Sequence, residues 1–210
     1  MSGWTFRTFE DSDMPRLRKW FRDPEAGFEE QTIIRSDRQR FWKGTDVSWP
    51  PMIAQFGSKE LRAVLAEAHP DFDYDPEKAD FDSTCIEVYV ASINEEPVGA
   101  IQCYPVDEYS DEAEVQAWLN LGFDRTGAGV DFLIGNPAER GRGLGSSMLS
   151  EFIDEVVFGR HPSWTQVGSS PAKSNAGSCR ALAKAGLEVL GSIETPGIAG
   201  YDFYAKRRRD

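Results

Sequence analysis

The chain has 210 residues, 40% hydrophobic and 12% aromatic, which is enough for a buried core and argues against wholesale disorder. Lys and Arg number 23 against 35 Asp and Glu, and the formal charge of −12 argues against a nucleic-acid partner, because phosphate backbones reward basic residues. The same charge suits a cationic small molecule, or simply an acidic protein. No apolar run of about 18 residues marks a membrane span, and residues 1–5 lack the basic-then-apolar pattern of a secretory signal. Cys85, Cys103 and Cys179 are far apart and form no zinc or redox spacing, so a reduced, cytoplasmic setting is expected. His69 and His161 sit beside prolines in polar surroundings and are expected at the surface; with two histidines, no metal site is expected.

Taken in order, residues 5–9 alternate as a first strand. Glu10, Asp11, Ser12 and Asp13, with Pro15 behind them, carry helix-starting chemistry, and Leu17, Trp20 and Phe21 give that helix an apolar face. Residues 25–51 mix Phe28, Phe41, Trp42 and Trp49 with many charges; the tryptophans suit a substrate cleft or buried staples equally. A helix is predicted at residues 58–68, with Leu61, Val64 and Leu65 inward. The acidic stretch that follows, to residue 83, reads as a solvated loop or insertion. Residues 85–93 and 98–105 then form a hairpin around a turn at 94–97, with Gly99 suited to a bulge or a close approach. Residues 106–129 carry Asp107, Glu108, Asp111, Glu112 and Glu114 near Trp118.

The centre of the chain is residues 130–149. Val130 to Ile134 is strand-like, interrupted by Asp131. Glycines follow at alternate positions (Gly141, Gly143, Gly145), and then Leu144, Met148, Leu149, Phe152, Ile153, Val156 and Val157 recur at helical spacing. A helix that begins in a glycine-rich loop presents unpaired N–H groups and the positive end of its dipole, a site for a phosphate or pyrophosphate. The loop lacks the Gly-Lys-Ser/Thr ending of a Walker motif, and its glycine spacing and distance from the strand differ from the dinucleotide fingerprint. Strands are predicted at 165–168, 187–193 and 201–205, with a short helix at 176–185 ended by Gly186. Mixed helices and strands of this order predict an α/β fold with a mixed, mostly antiparallel central sheet flanked by helices, in one domain enlarged at about residues 24–83.

The pattern Arg140-x-x-Gly143-x-Gly145, between that strand and that helix, resembles the pyrophosphate loop of the GCN5-related N-acetyltransferase (GNAT) superfamily. The resemblance extends to its aminoglycoside 6'-N-acetyltransferases. Phe6-Arg7 through Trp20-Phe21 is similar to their first strand and helix. Glu96-Pro97-Val98-Gly99 with Gln102 and Tyr104 is similar to a hairpin strand, Gly129-Val130-Asp131 with Asn136 to the central strand, and Pro171, Ser174-Asn175 and Lys184-Ala185-Gly186 to the closing helix.

The resemblance implies acetyl transfer from acetyl-CoA, as co-substrate and without a metal, to an amine of an aminoglycoside, by direct attack in a ternary complex. It implies that Phe132, Leu133 and Ile134 pair with the pantetheine arm. Amides of the loop 141–146, including Gly141, Gly143, Gly145 and Ser146, would hold the pyrophosphate, with Arg140 and Arg142 adding charge. Asn175 would bind the pantetheine or cap its helix, and Lys173 would meet the adenosine phosphate. Asp131 and Asp111 are the expected catalytic carboxylates, with Tyr104 and Glu108 also at the substrate and Asp107 in reserve. Many relatives carry a proton-donating tyrosine where this chain has Leu182; either Tyr104 or Tyr201 is the donor instead, or the thiolate leaves without a protein acid. Two other readings stay open: acylation of another amine (a siderophore hydroxylamine, a polyamine or a protein N-terminus), and an acyl-CoA-binding module without turnover. A monomer or homodimer, with no nucleic-acid or membrane partner, is expected.

Overall fold

The structure is a computed structural model, and it describes residues 3–21, 34–36, 39–41, 87–195 and 198–209. The predicted helix at 58–68, the acidic stretch behind it, Cys85 and His69 lie outside the described residues, as does most of the enlarged segment.

Seven strands form one sheet in the order β1-β4-β5-β6-β7-β9-β8, with β1 at Trp4–Thr8, β4 at Glu87–Ile93, β5 at Glu96–Pro105, β6 at Ala128–Ile134, β7 at Gln166–Ser169, β8 at Glu188–Thr195 and β9 at Ile198–Arg207. Two short strands, β2 (Ile34–Ser36) and β3 (Gln39–Phe41), pair separately. Every pairing in the large sheet is antiparallel except β6 with β7, so the mixed, mostly antiparallel sheet expected from the sequence is present. The β4–β5 hairpin turns tightly at Asn94 and Glu95, both with positive φ, the twist that two-residue hairpins favour. Gly99 meets both its expected uses. The β4–β5 register shifts opposite it, and a Cβ there would lie 2.2 Å from the Leu133 carbonyl oxygen of β6.

One face of the sheet is covered by α3 (Leu144–Phe152), which runs on through a π-helical turn, Ile153–Val157, to Phe158–Arg160. Of the residues predicted to line one helix face, Met148, Leu149, Phe152, Ile153, Val156 and Val157 are completely buried there against Ile101, Cys103 and Val130, and Leu144 is partly buried at the edge. The π-turn widens the helix by one residue and so lets this stripe outlast the α-helical period. Also on this side, α4 (Ala176–Lys184) buries Leu182. The opposite face carries α2 (Ala113–Asn120), whose Val115 and Trp118 are buried, Trp118 stacking on Phe203 at 4.7 Å. This helix lies inside the stretch 106–129, for which no element was predicted; its apolar residues, Val115, Ala117, Trp118 and Leu119, span too few turns to give a periodic signal. A further helix, α1 (Met14–Phe21), lays Trp20 directly over Gly135, just past the end of β6.

Candidate active site

The site follows from how β6 is bordered. On one side all seven of its residues pair with β5, from Gly99↔Ile134 to Pro105↔Ala128. On the other side β7 pairs only with Ala128 and Gly129. From Val130 onward the two strands part, and that edge of β6 offers backbone donors and acceptors to no strand among the described residues. Such an edge takes an extended, amide-bearing ligand as it would take another strand.

The open edge leads into the glycine loop. Gly141 has φ +72° and Gly143 φ +84°, values that residues with a Cβ rarely adopt, and a Cβ on either would meet nothing within 4 Å. Gly143 occupies the N-cap of α3, and Ser147 N–H is the first to return into the helix, at 3.3 Å from Gly143 O. The amides ahead of it lie at the positive end of the helix dipole, where an anion is favoured. Arg140 reaches backward: Nε donates to Ile134 O at 2.9 Å and an Nη to Gly135 O at 3.2 Å, tying the loop to the end of β6. Arg142 is exposed and paired with Glu139 at 2.6 Å. Phe132, Ile134 and Ala181 of α4 surround Gly145 at van der Waals distance. Ser146 is half-buried, its hydroxyl donating to Gly143 O at 2.8 Å. Leu133 points to the other face and is buried.

Asn175 acts as a cap: its Oδ1 accepts from Ser178 N–H at 3.0 Å at the start of α4. Lys173 lies 3.4 Å from Asp202.

Asp131 is buried in mid-strand, where an unpaired carboxylate would be costly. Gln102, its cross-strand partner on β5, compensates it: Nε2 donates to Asp131 Oδ2 at 2.6 Å. An ionised carboxylate only accepts, so the amide NH2 must face it and the amide oxygen faces away. That oxygen, Gln102 Oε1, is buried with no hydrogen-bond partner among the described residues. One pair further along, Tyr104 lies flat against Gly129; a Cβ at 129 would fall 2.2 Å from its ring. Tyr109 packs edge-on against Tyr104 at 5.3 Å.

The second carboxylate of this cluster is Glu114, in the first turn of α2. It accepts a hydrogen bond from Ser170 Oγ, which in turn accepts from the Trp118 indole at 2.9 Å. Burial pushes the Glu114 carboxyl up to about 7; the Ser170 hydrogen bond opposes this, while the negative charges of Asp131 and Glu112 reinforce it. Asp111 and Glu108 are exposed on the loop before α2, and Asp107 is engaged at the surface by Arg125 at 3.0 Å. The structure therefore gathers Asp131, Gln102, Tyr104 and Glu114 on one face and leaves Asp111 and Glu108 outside that group. Glu114 was one of five acids within residues 107–114, with no predicted element; the nearby Trp118 was its only pointer.

The family model of the acetyltransferase (GNAT) domain matches residues 61–195. The chain belongs to this family. It is accordingly an acetyl-CoA-dependent N-acetyltransferase. Curated relatives include the aminoglycoside N(6')-acetyltransferase type 1 proteins of Klebsiella pneumoniae and Serratia marcescens. Each is 29% identical over 192 residues, covering 91% of this chain and 77% of the relative. A kanamycin resistance protein of Rhizobium radiobacter is 32% identical over 79 residues, 38% of this chain and 71% of its own length. Among solved structures, aminoglycoside acetyltransferase AAC(6')-Ib with ribostamycin and coenzyme A superposes with a TM-score of 0.63 at 22% identity, over 98% of this chain and 94% of that one. The same enzyme with coenzyme A and kanamycin gives 0.61 at 20% identity, over 98% and 95%. The GNAT fold is thus shared along nearly the whole chain. No helix among the described residues is long and apolar enough to cross a membrane.

Proposed function

We propose that this GNAT enzyme acetylates the 6'-amine of an aminoglycoside in the cytoplasm, using acetyl-CoA in a ternary complex. The observation that carries the reading is the acceptor cluster: the buried Gln102 Oε1, without a donor among the described residues, beside the buried Asp131, with the raised carboxyl of Glu114 feeling the Asp131 charge. A buried carbonyl oxygen lacking a donor is costly, and an incoming ammonium supplies N–H groups both to it and to Asp131. The chain's −12 charge draws a polycation toward the site, the relatives named above support the substrate class, and Cys103 and Cys179 are free thiols, as suits a reducing compartment.

The chemistry then follows in order. The protonated amine docks on Asp131 and Gln102. One proton passes to Glu114, whose carboxyl near 7 matches a base working at neutral pH. The neutral amine attacks the thioester carbonyl, the tetrahedral centre collapses, and the C–S bond breaks. The remaining ammonium proton leaves with the thiolate, directly or through water. Leu182 has a hydrocarbon side chain with no proton to give that thiolate, and it is completely buried in the core. Tyr104 is the phenol on the Asp131 face, one cross-strand pair away, and we assign it to the acceptor's sugar ring. On the donor side, the pantetheine arm lies along Phe132, Leu133 and Ile134, and the pyrophosphate rests on the amides of 141–146. Arg140 shapes that loop rather than binding the phosphate, and Asn175 acts through α4, which it caps.

The test is thiol release from acetyl-CoA with kanamycin and with an analogue bearing a hydroxyl in place of the 6'-amine. Turnover with the amine alone is expected. Turnover confined to polyamines or hydroxylamines would move the protein to another acceptor class, and cofactor binding without turnover on any amine would make it a binding module.

A further inference from the structure

On the sheet face opposite Asp131, where α3 packs, three ligating side chains converge outside the acetyl-transfer site. Glu87 of β4 and Cys103 of β5 are direct cross-strand partners. His161 follows the last turn of the α3 extension and reaches the same point. One ligating atom from each of the three lies within 4.8 Å of the others. His161 was expected at the surface; instead its ring stacks on Trp164 at 3.7 Å, and its backbone oxygen accepts from Arg208 at 2.6 Å.

The details of the approach point to a shared cation rather than to a simple ion pair. His161 Nε2 and Glu87 Oε1 are 3.1 Å apart, yet Nε2 is buried without a hydrogen-bond partner among the described residues, so the pair is close but misaligned for a hydrogen bond. Two ligands at about 2.0–2.1 Å from a tetrahedral zinc sit roughly 3.3 Å from each other. The Cys103 thiol is fully buried, forms no disulfide among the described residues, and is fixed by its strand. Glu87 and His161 have side chains 39% and 22% exposed, which leaves an ion a way in and the two ligands freedom to close on it. Glu87 is also oriented from behind, Tyr89 donating to Oε2 at 2.5 Å, the kind of outer hydrogen bond that metal-bound carboxylates carry. Arg160, over the Tyr89 ring at 5.4 Å, is the nearby cation that opposes a metal. A carboxylate and a thiolate together offset a divalent charge, so the added positive charge is neutralised locally.

We propose that Glu87, Cys103 and His161 form a three-ligand site for Zn2+, water completing a tetrahedron, which ties the β4–β5 hairpin to the end of the α3 extension. Binding converts the thiol to a thiolate and releases its proton to solvent, so affinity falls as pH is lowered. The sheet separates the ion from Asp131, so its role is in stability and not in the acetyl transfer.

The test adds Zn2+, and separately Co2+ as a spectroscopic probe, to the metal-free full chain. One equivalent of Co2+ is expected to give the visible bands of a tetrahedral ion and a thiolate charge-transfer band. Zn2+ is expected to displace it and to raise the thermal midpoint. Cys103→Ser should abolish the charge-transfer band, and His161→Gln, which leaves the sheet untouched, should weaken Zn2+ binding at least about 100-fold. A Co2+ spectrum without thiolate character, or Zn2+ affinity unchanged in His161→Gln, would overturn the proposal. So would a thermal midpoint that answers only to pH, as an ordinary Glu87–His161 ion pair would make it.

Discussion

On the proposed reading, the two halves of the cleft, donor and acceptor, are built from different materials. The donor side is backbone: an open edge of β6 and a loop whose Gly141 and Gly143 hold positive φ with nothing near their absent Cβ atoms. The acceptor side is side chains: Gln102, Asp131, Tyr104, Glu114 and Ser170 brought from β5, β6, α2 and the segment after β7. A backbone site is indifferent to most substitutions except those that change φ or fill the cradle, and a side-chain site is sensitive to single atoms. The first suits a cofactor that never changes, the second an acceptor that must be distinguished from its neighbours.

The largest effect expected from breaking this division is on the acceptor side. Asp131→Asn keeps the shape and removes the charge, and should lower kcat/KM for the aminoglycoside by roughly 10²–10⁴ while leaving acetyl-CoA affinity within about twofold. Steady-state kinetics beside calorimetric titration separates the two; equal losses in both would remove Asp131 from the acceptor side. Next is Gly143→Val, which forces a β-branched residue to φ +84°. Acetyl-CoA should bind at least about 10-fold more weakly, with KM for the aminoglycoside little changed, and unchanged cofactor affinity would undo the loop assignment. Ser170→Ala removes the hydrogen bond that holds the Glu114 carboxyl down, so its titration should move to higher pH, with a loss of a few-fold in rate at neutral pH. Smallest is Asp111→Asn, an exposed position, expected to change kcat/KM by less than about twofold.

The same division explains what the sequence made legible. The fold, the glycine loop and its helix were readable because glycines at positive φ and a helical apolar stripe are local patterns, recorded within residues 130–157. Asp131 stood out because a charge inside an apolar strand demands a reason. Glu114 did not, since its environment is made by Ser170 and Trp118, and adjacency along residues 106–129 made Asp111 look equivalent. Helix α2 separates them in space, turning Glu114 toward Ser170 and leaving Asp111 ahead of its first turn. His161 was misjudged for a related reason: a polar, proline-flanked neighbourhood in sequence gave no sign of Trp164 stacking and the Glu87 partner.

Glu114 also ties the cluster to stability with a definite sign. Its carboxyl is raised from 4.5 to about 7 in the folded protein, so the native state holds the proton more tightly than the unfolded chain. That contribution is present in full below pH 4.5 and is lost as pH rises through about 7. In urea unfolding, Glu114→Gln should gain stability relative to the parent as pH rises from 5 to 8, and a difference independent of pH would mean that the carboxyl is not buried as described.

The most direct test of the central claim, that the buried Asp131–Gln102–Glu114 cluster receives and deprotonates the amine, is the pH dependence of kcat/KM for kanamycin in the parent and in Glu114→Gln. The parent should show an ascending limb near pH 7 that the variant lacks, with the variant's rate at high pH reduced about 10²-fold. An identical limb in both proteins would show that the proton goes elsewhere and would contradict the account.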